Sequence, residues 1–145
     1  MEPKTSPKTS ISMLFVEDDE LILDIQASLL IAKFPDVVLY TAVNGRLGLE
    51  IFKMHTPEIV ITDINMSEMC GLQMSGNIRA LKPDTKIIAM TGKSGQSVRM
   101  NSDDKEFEFD CIIVKPVVLK ELFSVIDQCI GEIEQNASRL ECSMA

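Results

Sequence analysis

The chain has 145 residues, of which 46% are hydrophobic and 25% charged, with 22 acidic against 14 basic side chains and a formal net charge of −8. That length fits one domain, at the usual ~100–200 residues per domain, and lets about two-thirds of the unfolded surface be buried. The apolar content excludes a wholly disordered chain, and the acidity excludes an electrostatic footprint for nucleic acid or an anionic membrane. Residues 1–10 read as a polar tail containing Pro3 and Pro7, with no apolar segment after them that would make a signal peptide. Residues 13–16 (Met-Leu-Phe-Val) are a short apolar run that predicts a buried strand, ending abruptly in Glu17, Asp18, Asp19 and Glu20. A helical pattern follows in Leu21, Ile22, Ile25, Leu29, Ile31 and Ala32, closing near Pro35. It is broken by Asp24 and Gln26 and falls short of the ~20 residues of a membrane span. Residues 37–41 predict a second strand, Asn44-Gly45 a turn, and Leu47, Leu49, Ile51, Phe52 and Met54 a second helix.

Residues 59–62 (Ile-Val-Ile-Thr) predict a third strand ending at Asp63, and residues 71–81 a helix stopped by Pro83-Asp84. Residues 86–90 predict a fourth strand ending at Thr91. The segment 92–110 is rich in glycine and serine; a helix over about 96–106 is expected from position but is weakly encoded by propensity. Residues 111–114 predict a fifth strand ending at Lys115-Pro116, and a last helix starts near Val118 and runs beyond 135. The four cysteines, Cys70, Cys111, Cys129 and Cys142, lack the short spacings of a zinc knuckle or a redox dithiol, which points to a reducing, cytoplasmic setting.

Strand and helix alternate, which predicts βαβ units and a parallel α/β sheet covered by helices on both faces. In such sheets ligands sit outside the carboxyl ends of the strands. Glu17, Asp18 and Asp19 follow strand one, Asp63 ends strand three, Thr91 ends strand four and Lys115 ends strand five. Crowded carboxylates are relieved most simply by a hard divalent cation, and magnesium takes oxygen ligands. Lysine adds a compact charge suited to phosphate. These parts can neutralise and position a transferring phosphoryl group, and a carboxylate can itself be the nucleophile. Asp63, alone on the central strand, is the candidate.

At this point the chain resembles the receiver domains of two-component response regulators over about residues 11–135. The resemblance rests on Leu14-Phe-Val-Glu-Asp-Asp-Glu20, on Ile59-Val-Ile-Thr-Asp-Ile-Asn-Met66 with Gly71, on Ala89-Met-Thr-Gly92 and on Val114-Lys-Pro116. It implies a three-layer, flavodoxin-like α/β/α fold with a five-stranded parallel sheet in the order 2-1-3-4-5 and five helices. It implies that Asp63 is the phosphoacceptor in a phosphorelay. Glu17 and Asp18 would hold Mg2+ (or Mn2+) together with Asp63 and the main-chain carbonyl of Asn65. Thr91 resembles the switch hydroxyl, and Lys115 the lysine that pairs with the phosphoryl group. The Lys115–Pro116 bond is often cis in relatives. The donor would be a phosphohistidine on a sensor histidine kinase or phosphotransfer protein. A downstream protein or a fused output domain would read the state, and a homodimer is a further possible partner state. The chain would then be a signalling switch rather than an enzyme.

Some positions depart from the family pattern. Ile112 stands where relatives usually carry an aromatic residue, Ser67 where a proline is common, and Cys70 where an aspartate is common. Plain structural readings also stand beside the chemical ones. The acids 17–20 can be a helix N-terminus, Asp63 a cap, Lys115 a solvated charge and His55 a surface histidine. The methionines are mostly core filler, with Met66 and Met69 candidates to line the site mouth. In the last helix, Leu119, Leu122, Ile126, Cys129, Ile133, Asn136 and Leu140 fall at heptad positions a and d. The first four suffice to pack it on the sheet, and residues 136–145 are either a frayed tail or a short coiled coil. Three competing functions remain open. A phosphatase with an aspartyl nucleophile would want a carboxylate where Asn65 stands. A nucleotide or flavin binder would want a phosphate loop where Glu17 to Glu20 stand. The last is a pseudo-receiver that only binds partners.

Overall fold

Side chains alternate across a strand, so an apolar run covered on both faces feeds two cores at once. The structure, a computed structural model, describes residues 11–66, 68–92 and 108–144. Its elements are β1 (Ser12–Val16), α1 (Glu20–Lys33), β2 (Val38–Ala42), α2 (Gly45–His55), β3 (Ile59–Asp63), α3 (Gly71–Leu81), β4 (Lys86–Thr91), β5 (Cys111–Val114) and α4 (Leu119–Met144). The strands form one parallel sheet in the order β2-β1-β3-β4-β5, the order the resemblance implies. Four helices lie among the described residues. The fifth, expected over 96–106, falls outside them, as does Ser67.

Met13, Phe15, Ile59, Ile61, Ile88 and Met90 point to one face, where Leu23, Leu30 and Phe34 from α1 and its end, and Leu122, Ile126 and Cys129 from α4, cover them. Leu14, Val16, Val60 and Ile87 point to the other face, covered by Phe52 of α2 and by Met74 and Ile78 of α3. β3 is buried along its whole length, which explains why its sequence is a continuous apolar run until Asp63.

Two helical details differ from the sequence reading. α1 turns Leu23 and Leu30 inward, whereas Leu21, Ile22, Ile25, Leu29 and Ile31 of the expected pattern are exposed. α1 is apolar all round, so periodicity gives it no preferred side. Ile133 of α4, expected to lie beyond the needs of the core, packs against it, while Asn136 is exposed. Ile112 is 39% exposed on β5, on the opposite side of the strand from buried Ile113. Cys70, Cys111 and Cys129 are free thiols, and no helix among the described residues is long and apolar enough to cross a membrane.

Candidate functional site

The sheet register places the site. Val16 pairs with Thr62, Asp63 with Met90, and Thr91 with Val114, so the carboxyl ends of β1, β3, β4 and β5 finish on one edge. Glu17 and Asp18 leave β1 at this edge, Asp63 and Thr91 end their strands there, and Lys115 leaves β5 beside them.

The acidic run splits into two jobs. Asp19 caps α1, its Oδ1 accepting from the amides of Leu21 and Ile22, both at 3.1 Å. Such a cap satisfies otherwise orphaned helix donors. Glu17 and Asp18 stay with the site. Oxygens of Glu17, Asp18 and Asp63 all lie within 4.8 Å of one another. Glu17 and Asp63 are buried, at 2% and 6% exposure, and Asp18 is exposed. The amide of Asp19 donates to Glu17 Oε2 at 3.2 Å and so orients that carboxylate.

Lys115 closes the cluster. Its Nζ donates to Asp63 Oδ2 at 2.8 Å and lies 3.8 Å from Glu17 Oε1. One ammonium therefore faces three carboxylates. Burial pushes the Glu17 carboxyl above its usual range; the Asp19 amide and Lys115 oppose this, while Asp63 and Asp18 add to it. Burial alone would lower Lys115, but the Asp63 hydrogen bond and the surrounding carboxylates outweigh it and hold Lys115 above its ordinary value. A cluster of hard oxygen donors with too little positive charge fits a divalent cation of the magnesium type.

Thr91 is fully buried at the end of β4, and its carbonyl accepts from the Lys115 amide at 2.7 Å. Lys115 and Thr91 are thereby tied through the main chain. The Lys115–Pro116 peptide is cis, as the resemblance implies. Asn65 lies in the loop after Asp63 and is exposed, with Met66 half-buried beside it. The loop starts under tight control: the Ile64 amide donates to Met90 O at 3.0 Å, and Thr62 Oγ1 donates to the Asp63 carbonyl at 2.8 Å. The structure thus gathers Glu17, Asp18, Asp63 and Lys115, with Thr91 in the adjoining strand end and Asn65 on the bordering loop. His55, by contrast, ends α2 and stacks on Tyr40 with ring centroids 4.2 Å apart. Sequence reasoning offered a helix N-terminus for the acids 17–20 as a group without singling out Asp19 as the cap, and it overlooked the contact of Gly45 with this loop. The one available signal was a glycine at the first helical position after Asn44, where alanine would make a better helix.

Comparison with known proteins gives a concordant result. A family profile described as the response regulator receiver domain matches residues 13–127. A probable C4-dicarboxylate response regulator, DctR, from Priestia megaterium is 27% identical over 124 residues, covering 83% of this chain and 52% of that protein. The chain therefore spans about half of that relative's length. Among solved structures, a CheY-like response regulator receiver domain protein from Methanospirillum hungatei is 25% identical with a TM-score of 0.75, covering 88% of this chain and 99% of that one. The response regulator TrrA of Thermotoga maritima, solved in complex with Mg(2+)-BeF, is 29% identical with a TM-score of 0.69, covering 82% and 98%.

Proposed function

The chain belongs to the response regulator receiver domain family, and from that premise we propose that Asp63 accepts a phosphoryl group from a phosphohistidine on a sensor kinase or phosphotransfer protein. The observation that carries this reading is the meeting of Asp63 with Lys115 at 2.8 Å beside Glu17 and Asp18. A carboxylate oxygen of Asp63 attacks phosphorus. The phosphorus–nitrogen bond to the donor imidazole breaks, its electron pair returns to that ring, and an acyl phosphate is left on Asp63. Magnesium or manganese, when bound, neutralises charge on the phosphoryl oxygens. Glu17, Asp18, Asp63 and the main-chain carbonyl of Asn65 would hold it. Lys115 transfers its hydrogen bond from Asp63 Oδ2 to the phosphoryl group, and Thr91 offers that group its hydroxyl. The chain acts on itself and changes conformation, so it is a switch rather than a turnover enzyme.

The donor histidine lies outside these 145 residues on this reading, because the sole histidine among them, His55, stacks on Tyr40 away from the strand ends. An exposed apolar stripe on α1 supports a docked protein donor. Leu21 is 69% and Ile25 52% exposed, directly after the acids of the site, and clustered exposed apolar groups mark interaction surfaces. Residues 11–135 form the receiver unit; residues 1–10, expected to be a tail, lie outside the described residues. From residue 136 to Met144 α4 continues as an extension toward a partner, a second copy or a fused output domain. The free thiols of Cys70, Cys111 and Cys129 support a reducing, cytoplasmic setting.

Intact-mass measurement after incubation with magnesium and acetyl phosphate tests the reading. The wild-type chain gains one phosphoryl group, and Asp63→Asn, or wild type in chelator, gains none. Equal uptake by Asp63→Asn would place the chemistry elsewhere.

A further inference from the structure

Two glycines leave room for a backbone carbonyl beside the loop that follows Asp63. At its far end, Gly71 donates its amide to the Ile64 carbonyl at 2.8 Å, and a Cβ at Gly71 would collide with the carbonyl of Asp63. Before that, the chain passes through two consecutive non-glycine residues in the left-handed region, Glu68 at φ 51° and Met69 at φ 75°. Such residues persist where the surroundings over-determine them. Here the surroundings are the start of α2. The Met69 carbonyl lies against Gly45, and a Cβ at Gly45 would collide with it.

The helix itself has no use for glycine at this position. Asn44 already caps α2, its side chain accepting from the Leu47 amide at 2.8 Å. Gly45 is the first helical residue, where alanine is the better helix former. At its α3 end the loop lacks a side-chain cap: Cys70 stands at the cap of α3 and makes no side-chain capping hydrogen bond. The Arg46–Glu68 pair at 3.3 Å is exposed and holds the loop only lightly.

We propose that Gly45 is a positioning residue for the phosphoacceptor site: by admitting the Met69 carbonyl against α2, it sets where the loop carries Asn65 relative to Asp63. The proposal rests on the reading of Asp63, Glu17, Asp18 and Asn65 as a magnesium site. α2 is then the outer wall of that site although it supplies no ligand.

The test compares wild type, Gly45→Ala and Gly76→Ala, the last being an α3 glycine with open space around it. Magnesium affinity is measured by calorimetry on the full chain, and phosphorylation by acetyl phosphate is followed across magnesium concentrations. Gly45→Ala lowers magnesium affinity about tenfold, the scale of losing a group that orients a ligand. Its phosphorylation is slowed at low magnesium and restored at saturation. Gly76→Ala keeps the wild-type affinity. A purely helical role for Gly45 gives the opposite pattern, with higher stability and unchanged affinity, and overturns the proposal. Amide NMR of the wild-type chain supplies a variant-free check should Gly45→Ala not fold. The Gly45 and Met69 amides shift with magnesium at the midpoint seen for Asn65, and a silent Gly45 overturns the idea. A wild-type chain that takes no magnesium sinks the reading of the site itself. A wild-type chain that binds it, beside an unaltered Gly45→Ala, sinks this proposal alone.

Discussion

Replacing Lys115 by methionine keeps most of the apolar stem and removes the only ammonium that contacts Asp63 among the described residues. The wild-type Nζ lies 2.8 Å from Asp63 Oδ2 and 3.8 Å from Glu17 Oε1. A hydrogen bond to a charged group contributes about 1.5–3 kcal/mol, and the two carboxylates it serves are nearly buried. The Lys115 side chain is itself 31% exposed, and solvent screening trims the figure to about 1.5–2 kcal/mol. At ~3–5 °C per kcal/mol for a chain of this length, Lys115→Met melts roughly 5–10 °C below wild type at pH 7 in chelator. The pH dependence has a definite sign. Lys115 is held above its ordinary value, so its contribution is complete at neutral pH and is lost only as pH rises through its own titration. Magnesium relieves the same crowding, so it stabilises the variant more than wild type. Melting by circular dichroism with and without magnesium checks both points. A variant within 1 °C of wild type in chelator, or an equal magnesium shift in the two proteins, refutes the reasoning.

Glu17→Gln raises the stability of the metal-free chain at pH 7, because it removes a charge that burial disfavours. Burial holds the Glu17 pKa above its usual value, so wild-type stability falls as pH rises from the ordinary carboxylate range to that raised value. The variant loses that slope and most of its magnesium-induced stabilisation; denaturant melts at several pH values read both. Gly71→Ala costs about 2–3 kcal/mol, because the new Cβ meets the Asp63 backbone, which cannot step aside. Gly76→Ala, with open space around it, gains about 0.5–1 kcal/mol, and urea denaturation ranks the pair. Leu21→Asp with Ile25→Asp leaves stability within about 1 kcal/mol and uptake from acetyl phosphate unchanged, since both side chains are exposed. Transfer from a phosphorylated histidine phosphotransfer protein slows at least about tenfold, a loss of ~1.4 kcal/mol of docking; an unchanged rate removes α1 from the docking surface.

The sheet was legible because parallel strands buried on both faces read as unbroken apolar runs, and β3 and β4 end sharply at Asp63 and Thr91. The site edge was legible for the same reason, since every strand end points one way. The face of α1 was not legible. Leu21, Ile22, Leu23, Ile25, Leu29, Leu30 and Ile31 look alike to a periodicity argument, and only the packed sheet selects Leu23 and Leu30. Asp18 and Asp19 are chemically identical, and what separates ligand candidate from cap is the register at which α1 begins. The close approach at Gly45 was hidden because its cause, the Met69 carbonyl, lies in a distant segment.

The position of Ile112 bears on how a change at Asp63 leaves the site. An aromatic side chain at this position could move as a ring between two rotamers. Isoleucine is β-branched and stiff at χ1, and it lies outward on β5 with Val114, away from the packed core. On the proposed reading, phosphorylation draws Lys115 from Asp63 Oδ2 to the phosphoryl group and turns Thr91 toward it. Those two residues are joined by the 2.7 Å bond from the Lys115 amide to the Thr91 carbonyl, and Thr91 pairs with Val114 in the ladder. Moving one therefore drags the ends of both strands. On that reading the β4–β5 main chain, with Ile112 and Val114 on its surface, is the proposed route by which the signal leaves. A partner that distinguishes the two states then has to read the position of an aliphatic edge, not the presence or absence of a ring.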